Sequence, residues 1–303
     1  LRDFPDGRRW QEAGYWAGST RLQLGDTTLA EAQLNHVLTH PVDYYAAMAS
    51  DLLDIPFILN VAGGPASTKP RWLEEGLERL DLLSETGLEK GANSEITRLR
   101  DRAGSERGPR LGLAEALIER GYTIDGINLG WALFRDEGAW DQEILRVTYP
   151  FPYRELVSRA AEDWGISPFM MAAIIRQESA FKADIVSHAG AIGLMQVMPP
   201  TGAELARTHG PEGFTPESLT RPEVNLHLGS AFFVAMSRRY DDELPFVLSA
   251  YNAGPTRATR WRRYPEASDL VRFTERIPFS ETRGYVKNVR RNLAIYRALY
   301  GQD

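Results

Sequence analysis

The sequence predicts an all-α fold, and three observations carry that expectation. Apolar residues recur at spacings of three and four through Trp10–Leu24, Trp72–Leu83, Gly112–Arg120 and Val224–Tyr240, the periodicity of one buried helical face. Alternating strand patterns of convincing length are absent. Stop and start signals recur at Gly25-Asp26, Gly87, Gly121, Gly165 and Gly254-Pro255, where glycine supplies the turn that ends a helix and proline cannot continue one.

Composition narrows the class. The 303 residues are 43% hydrophobic and 25% charged, ordinary globular values that disfavour disorder, collagen and coiled coil. No run approaches the ~18 apolar residues of a transmembrane helix. With no cysteine, a disulfide scaffold, a cysteine nucleophile and thiolate metal sites are excluded, but the compartment stays open. The chain starts at Leu1 rather than Met, as a processed or trimmed chain would, so a missing signal peptide says nothing about secretion.

The net charge of −6 is unevenly placed. Residues 1–150 hold 24 acidic against 16 basic residues, and residues 151–303 hold 17 against 19. The second half therefore suits an anionic polymer better, through a weak field. No basic block is dense enough to argue for nucleic acid. The stretch Arg257–Arg263, with Arg257, Arg260, Arg262 and Arg263 around Trp261, either lines a groove or forms a solvated helix face.

Along the first half, the pattern reads as paired helices. Tyr15-Trp16, Leu22, Leu24, Gly25 and then Ala30, Ala32 and Leu34 resemble one helical hairpin of the tetratricopeptide type. No strict repeat of about 34 residues follows, which makes this an irregular helical-hairpin, superhelical array whose default role is to provide surface. Val61–Pro70 and Arg102–Pro109 read as loops. Tyr149-Pro150-Phe151-Pro152-Tyr153 breaks the helical pattern with two prolines and is the best boundary, dividing the chain into residues 1–150 and 151–303.

The next segment, Ser167–Phe181, begins with an N-cap serine and proline at the first helical position. Met171, Ile174, Ile175 and Glu178 stand at i, i+3, i+4 and i+7, so Glu178 falls on the buried stripe. Only Lys182, at i+4, offers an intrahelical cation. One reading is a half-exposed Glu–Lys pair. The other is a carboxyl kept protonated near neutral pH by desolvation, as the general acid of a glycosidase must be. After Glu178 the next acidic residues are Asp184 and Glu204, leaving Ile185–Thr201 without the second carboxylate that two-carboxylate glycosidases place roughly 5–9.5 Å from the acid.

The loop Ser187–Pro199 is rich in glycine and apolar residues, with Ser187 and Gln196 as isolated polar groups and Met195 and Met198 as adaptable walls. Uncharged donors in such a setting suit a sugar-amide groove; a tight interhelical packing turn reads equally well. Further on, Tyr251 follows Val247 and Leu248 by four and three residues and extends an apolar stripe, as a core tyrosine would. Glu281 and Tyr285 share a helix face at i, i+4, where Glu281 also reads as an ordinary N-terminal helix charge. His188 has no partner histidine at metal spacing, and no metal or other cofactor is expected.

Taken in order, Glu178-Ser179, Gly193-Leu194-Met195-Gln196, Ala250-Tyr251-Asn252-Ala253-Gly254-Pro255 and Ile277-Pro278-Phe279-Ser280-Glu281-Thr282-Arg283-Gly284-Tyr285-Val286 resemble the soluble lytic transglycosylases. The four blocks cover about residues 153–300, and the stretch from Gly130-Trp131 to Tyr153 resembles the linker preceding the catalytic domain in that family. The resemblance implies a superhelix and linker region over 1–150 and a goose-type-lysozyme-like catalytic domain over 151–303. It implies a lyase of cell-wall turnover acting on peptidoglycan glycan strands, in the periplasm or cell envelope of a bacterium.

It also implies roles. Glu178 would protonate the β-1,4 oxygen between N-acetylmuramic acid and N-acetylglucosamine, and then, as a carboxylate, accept the C6 hydroxyl proton while a 1,6-anhydro end forms. Ser187 and Gln196 would bind acetamido or sugar groups, and Met198 would pack on a sugar face. Tyr251 would orient Glu178 or the acetamido group, with Asn252 beside it in the same motif, and Glu281 and Tyr285 would line the groove. Two alternatives stand beside this: a hydrolytic muramidase, and a helical-array protein that grips glycan strands without turnover.

Overall fold

The computed structural model describes residues 9–301. The expected all-α class holds: sixteen α-helices and two 3-10 turns make up the regular structure of the described residues. None of these helices is long and apolar enough to cross a membrane. The chain divides into two units, one of residues 61–154 with 180–182, the other of the chain up to Asn60, Glu155–Ser179 and everything from Ala183 onward.

In the larger unit, α1 (Trp10–Gln23), α2 (Thr27–Leu38) and α3 (Tyr44–Leu53) come first. They share a core that includes Tyr15, Leu34, Val37, Tyr45 and Met48. In the smaller unit, α4 (Arg71–Glu85), α5 (Glu89–Ala103), α6 (Arg107–Glu119), α7 (Thr123–Glu137) and α8 (Gln142–Thr148) follow. Leu73, Leu77 and Leu80 on α4 meet Ile96 and Leu99 on α5 and Leu113, Leu117 and Leu133 from α6 and α7, the i, i+3, i+4, i+7 stripes of amphipathic helices.

The loop before α4 is non-helical as expected, and the Thr68 N–H donates to the Gly108 carbonyl at 3.0 Å. The second expected loop, Arg102–Pro109, shrinks to residues 104–106. Pro109 sits in the first turn of α6, where the missing N–H has no helical acceptor to lose.

The larger unit continues with α9 (Arg154–Trp164), α10 (Pro168–Glu178), α11 (Pro199–His209), α12 (Pro222–Arg239), α13 (Leu244–Ala253), α14 (Pro255–Trp261), α15 (Leu270–Arg276) and α16 (Ser280–Tyr300). On α10 the six consecutive residues Met170–Ile175 are buried, so this helix is enclosed on all sides rather than on one stripe. The Asn292 Nδ2 of α16 donates to the Ala173 carbonyl of α10 at 3.4 Å. On its other flank α16 meets the first helices: Ala294 of α16 packs against the α1–α3 core, as does Val271 of α15.

The double-proline segment does interrupt the helical run, between α8 and α9. Compactness nevertheless groups α1–α3 with the C-terminal helices. A contact such as Tyr45 to Glu275, 230 residues apart, leaves no local trace in sequence.

Candidate active site

Glu178 is the last residue of α10. Its backbone continues through Ser179 into Ala180 and Phe181, both left-handed (φ 49° and 66°), a conformation that costs non-glycine residues about 1–3 kcal/mol each and gathers at functional sites. The helix therefore stops before Lys182, and the i,i+4 Glu–Lys pair has no helical register to form in. Glu178 keeps some accessible surface while its carboxyl lies deep among protein atoms. Desolvation pushes its pKa up to about 7, the Tyr285 hydrogen bond opposes that rise, and the negative charge of Glu281 adds to it.

The Tyr285 hydroxyl donates to Glu178 Oε1 at 2.7 Å. Tyr285 is buried on α16, one turn after the exposed Glu281; the first touches Glu178 and the second acts on it through its charge. Tyr251 is near enough for the Glu178 charge to raise its own pKa, after the larger effect of burial. Its hydroxyl, however, donates to the Met195 carbonyl at 2.8 Å. The tyrosine that holds the carboxyl here is Tyr285, and Tyr251 holds the loop.

That loop is a small knot with two antiparallel bridges, Val186 to Ile192 and Ile192 to Val197. The Ser187 Oγ accepts from the Ala191 N–H at 3.0 Å, closing the turn. Gln196, left-handed at φ 50°, donates from Nε2 to the Gly193 carbonyl at 2.9 Å and the Ile185 carbonyl at 3.2 Å. Three side chains pin the knot. The Ser179 Oγ donates to the Leu194 carbonyl at 2.8 Å. Asn225 of α12, fully buried, accepts from the Met195 N–H at 2.7 Å and donates to the carbonyls of Ile192 (2.7 Å) and Leu219 (2.8 Å). Tyr251 of α13 supplies the third contact. Gly193 must be glycine twice over: its φ is +83°, and a Cβ would lie 2.2 Å from Asn225 Nδ2.

A groove of about 560 Å³ opens beside the knot, lined by Gln196, Met198, Phe232, Tyr251, Asn252 and Pro255 among others. Met198 is 39% exposed, and Phe232 sits 5.2 Å from Tyr251, ring centre to ring centre. The Asn252 Oδ1 accepts from Thr282 Oγ1 at 2.7 Å, tying α13 to the first turn of α16. Thus Gln196, Met198, Tyr251 and Asn252 share one groove. Glu178 and Tyr285 form a hydrogen-bonded pair, and Ser187 is engaged within the knot itself. Exposed Arg257 and Arg260 line a recess that shares Ala253, Gly254 and Pro255 with this groove, whereas Arg262 pairs with Asp241 at 2.7 Å.

Sequence reasoning missed Asn225 and Phe232, and it quoted Ser179 and Thr282 only as motif residues without a role. For Asn225 a signal existed: an amide at the start of the apolar run Val224–Tyr240, on a face that continues through Leu228 and Gly229. Among the described residues no group of three or more His, Asp or Glu could hold a metal ion. The arrangement offers one carboxyl with a pKa near neutrality and a fixed donor on one of its oxygens, beside a groove with amide and hydroxyl groups and one acidic residue, Glu204, in its lining. That is equipment for proton transfer to and from a bound ligand.

The family model described as Transglycosylase SLT domain matches residues 155–271, and that described as Soluble lytic transglycosylase helical domain matches residues 276–303, a stretch that includes α16. The chain is 31% identical over 302 residues to the soluble lytic murein transglycosylase of Salmonella typhimurium, across 98% of this chain and 45% of that protein. The 70 kDa soluble lytic transglycosylase from Escherichia coli is similar in structure, with a TM-score of 0.79 and 28% identity over 96% of this chain and 46% of that one. A 70-kDa soluble lytic transglycosylase in complex with bulgecin A gives a TM-score of 0.81 and 27% identity, over 99% and 47%. The chain spans about half the length of these relatives.

Proposed function

The chain belongs to the soluble lytic transglycosylase family, and from that premise we propose that it is a peptidoglycan lytic transglycosylase of the bacterial cell envelope, with Glu178 as its single acid and base. The observation that carries this reading is the Glu178–Tyr285 pair. Burial holds the carboxyl pKa at about 7, so near neutral pH both the acid and the carboxylate are accessible, as one group serving in turn as donor and acceptor requires. The Tyr285 O–H occupies Oε1 and leaves the other oxygen for the transferable proton.

In the proposed reaction Glu178 gives that proton to the β-1,4 oxygen as the C1–O bond breaks, releasing the N-acetylglucosamine side as an alcohol. The muramyl acetamido oxygen stabilises C1. The C6 oxygen then attacks C1 and its proton passes to the Glu178 carboxylate, which restores the starting acid. Every proton is accounted for without water, metal or organic cofactor. Ser187, Gln196, Met198, Tyr251 and Asn252 bind the sugars and their amides, and Glu281 and Tyr285 border the reacting carboxyl. Residues 151–303 carry the reacting and sugar-binding groups, and residues 1–150 supply the superhelix and linker that support them.

The test is digestion of purified sacculi followed by weighing of the muropeptides: anhydro-ended products are expected. One observation favours a second reading, a hydrolytic muramidase. Glu281 acts electrostatically on Glu178, as a second carboxylate would. Products one water heavier than the anhydro form would establish that reading and overturn the first.

A further inference from the structure

The side of α16 facing away from Glu178 carries a polar ring that the proposed chemistry does not use. The Tyr45 hydroxyl of α3 donates to Glu275 Oε1 of α15 at 2.6 Å. The Lys287 Nζ of α16 donates to the Tyr45 oxygen at 2.8 Å and to Glu275 Oε2 at 2.8 Å. The ammonium also lies 4.9 Å from the centre of the Tyr45 ring. One turn on, Arg290 reaches Asp51 of α3 at 3.2 Å. These contacts are between fixed donors and acceptors, which set a register that purely apolar packing leaves free to slide.

Lys287 follows Tyr285 by two residues, about 200° around a helix of 3.6 residues per turn. The two side chains therefore leave α16 on opposite faces, one toward α3 and the other toward Glu178. A rotation of α16 permitted at Lys287 becomes a displacement of the Tyr285 hydroxyl. We propose that Tyr45, Glu275 and Lys287 are positioning residues, which fix the rotation of α16 so that Tyr285 meets Glu178 and which make α3 part of the catalytic unit. This rests on the functional reading above for its kinetic consequence, though not for its geometry.

Two substitutions in the full chain test it, Tyr45→Phe and Lys287→Met, with Tyr285→Phe as the reference. Tyr45→Phe removes one oxygen and no charge. It also leaves intact the groups whose influence reaches Glu178, namely Tyr285 and Glu281. The first readout is the titration of the Glu178 carboxyl carbon by NMR, which needs no turnover. Loss of the Tyr285 hydrogen bond moves its midpoint upward, in the direction of Tyr285→Phe. The second readout is steady-state kinetics on sacculi: kcat falls by about tenfold with KM unchanged, within the ~100-fold that a misplacement of about 1 Å can cost.

If both folded variants keep the wild-type midpoint and kcat, the positioning role is overturned. Should Lys287→Met fail to fold, Tyr45→Phe decides alone. A shifted midpoint in a chain that releases no anhydro product would uphold the positioning geometry and remove the functional reading instead.

Discussion

Tyr285 donates its hydroxyl proton to Glu178 Oε1 at 2.7 Å, across 107 residues of sequence, and this one bond ties the last residue of α10 to the first turns of α16. A donor on a carboxylate favours the charged form, so Tyr285 holds the Glu178 pKa below what burial alone would impose. Tyr285→Phe therefore raises that pKa above about 7. The acid form then persists to higher pH, and the basic limb of the pH–rate profile moves up. The carboxyl also loses its orientation, and kcat falls by about 10–100-fold. A full pH–rate profile of the variant checks both effects, and a limb that moves down would refute the sign.

Glu281 works in the opposite direction. Its charge raises the Glu178 pKa, so Glu281→Gln lowers it and the basic limb moves to lower pH. Because Glu281 is exposed at the start of α16, water screens its field, and the rate at the new optimum stays within about tenfold of wild type. A loss beyond about 100-fold would mark Glu281 as a second working carboxylate rather than a neighbouring charge.

Much of this site was legible in the sequence because it was local. The i, i+7 placement of Glu178 on an apolar stripe foretold its desolvation, and the i,i+4 spacing of Glu281 and Tyr285 foretold a shared face. Partnerships between distant segments were not legible. Nothing in the sequence separates Tyr251 from Tyr285 as the partner of Glu178, since both are tyrosines on apolar helix faces. Only the crossing of α10 by α16 gives the carboxyl to Tyr285, while α13 brings Tyr251 to Met195. The helix end at Glu178 was hidden for a related reason: Ala180 and Phe181 carry no glycine or proline signal, and their left-handed conformation is imposed by tertiary packing. At the scale of the fold, the helices and the Pro150/Pro152 break could be read, whereas the docking of α3 on α16 rests on pairs more than 200 residues apart.

Glu178→Gln separates activity from stability. Removing the acid costs at least the ~100–10,000-fold typical of general acid–base catalysis. The stability effect depends on pH. The folded pKa of about 7 lies above the ordinary 4.5, so the native state binds the proton more tightly than the unfolded chain does. The favourable contribution of the neutral carboxyl is present in full below about pH 4.5 and is lost as pH rises through 7, amounting to about 3 kcal/mol at most. Glutamine does not titrate. The Tm of Glu178→Gln relative to wild type is therefore higher at pH 8.5 than at pH 4.5. A difference that does not change with pH would show that the wild-type carboxyl is not held neutral by the fold.

Asn225 is the residue on which the loop's shape depends most. It is fully buried, and its one amide group serves the Met195 N–H and the carbonyls of Ile192 and Leu219. Asn225→Ala strips the Met195 N–H and the Leu219 carbonyl of this partner, at about 1–3 kcal/mol for each that finds no replacement, while the Ile192 carbonyl keeps the Val197 N–H at 3.0 Å. Asn225→Asp is the sharper test because it keeps the shape. The Met195 N–H retains its acceptor, but an oxygen replaces the Nδ2 donor and faces two carbonyl oxygens, so the isosteric change is destabilising by several kcal/mol. Urea unfolding with the slope unchanged reads the loss as a shift in midpoint. Because the knot also carries Gln196 and anchors Tyr251, turnover on sacculi falls with it. An Asn225→Asp chain of wild-type stability would mean that the amide is not what holds Gly193–Val197 in place.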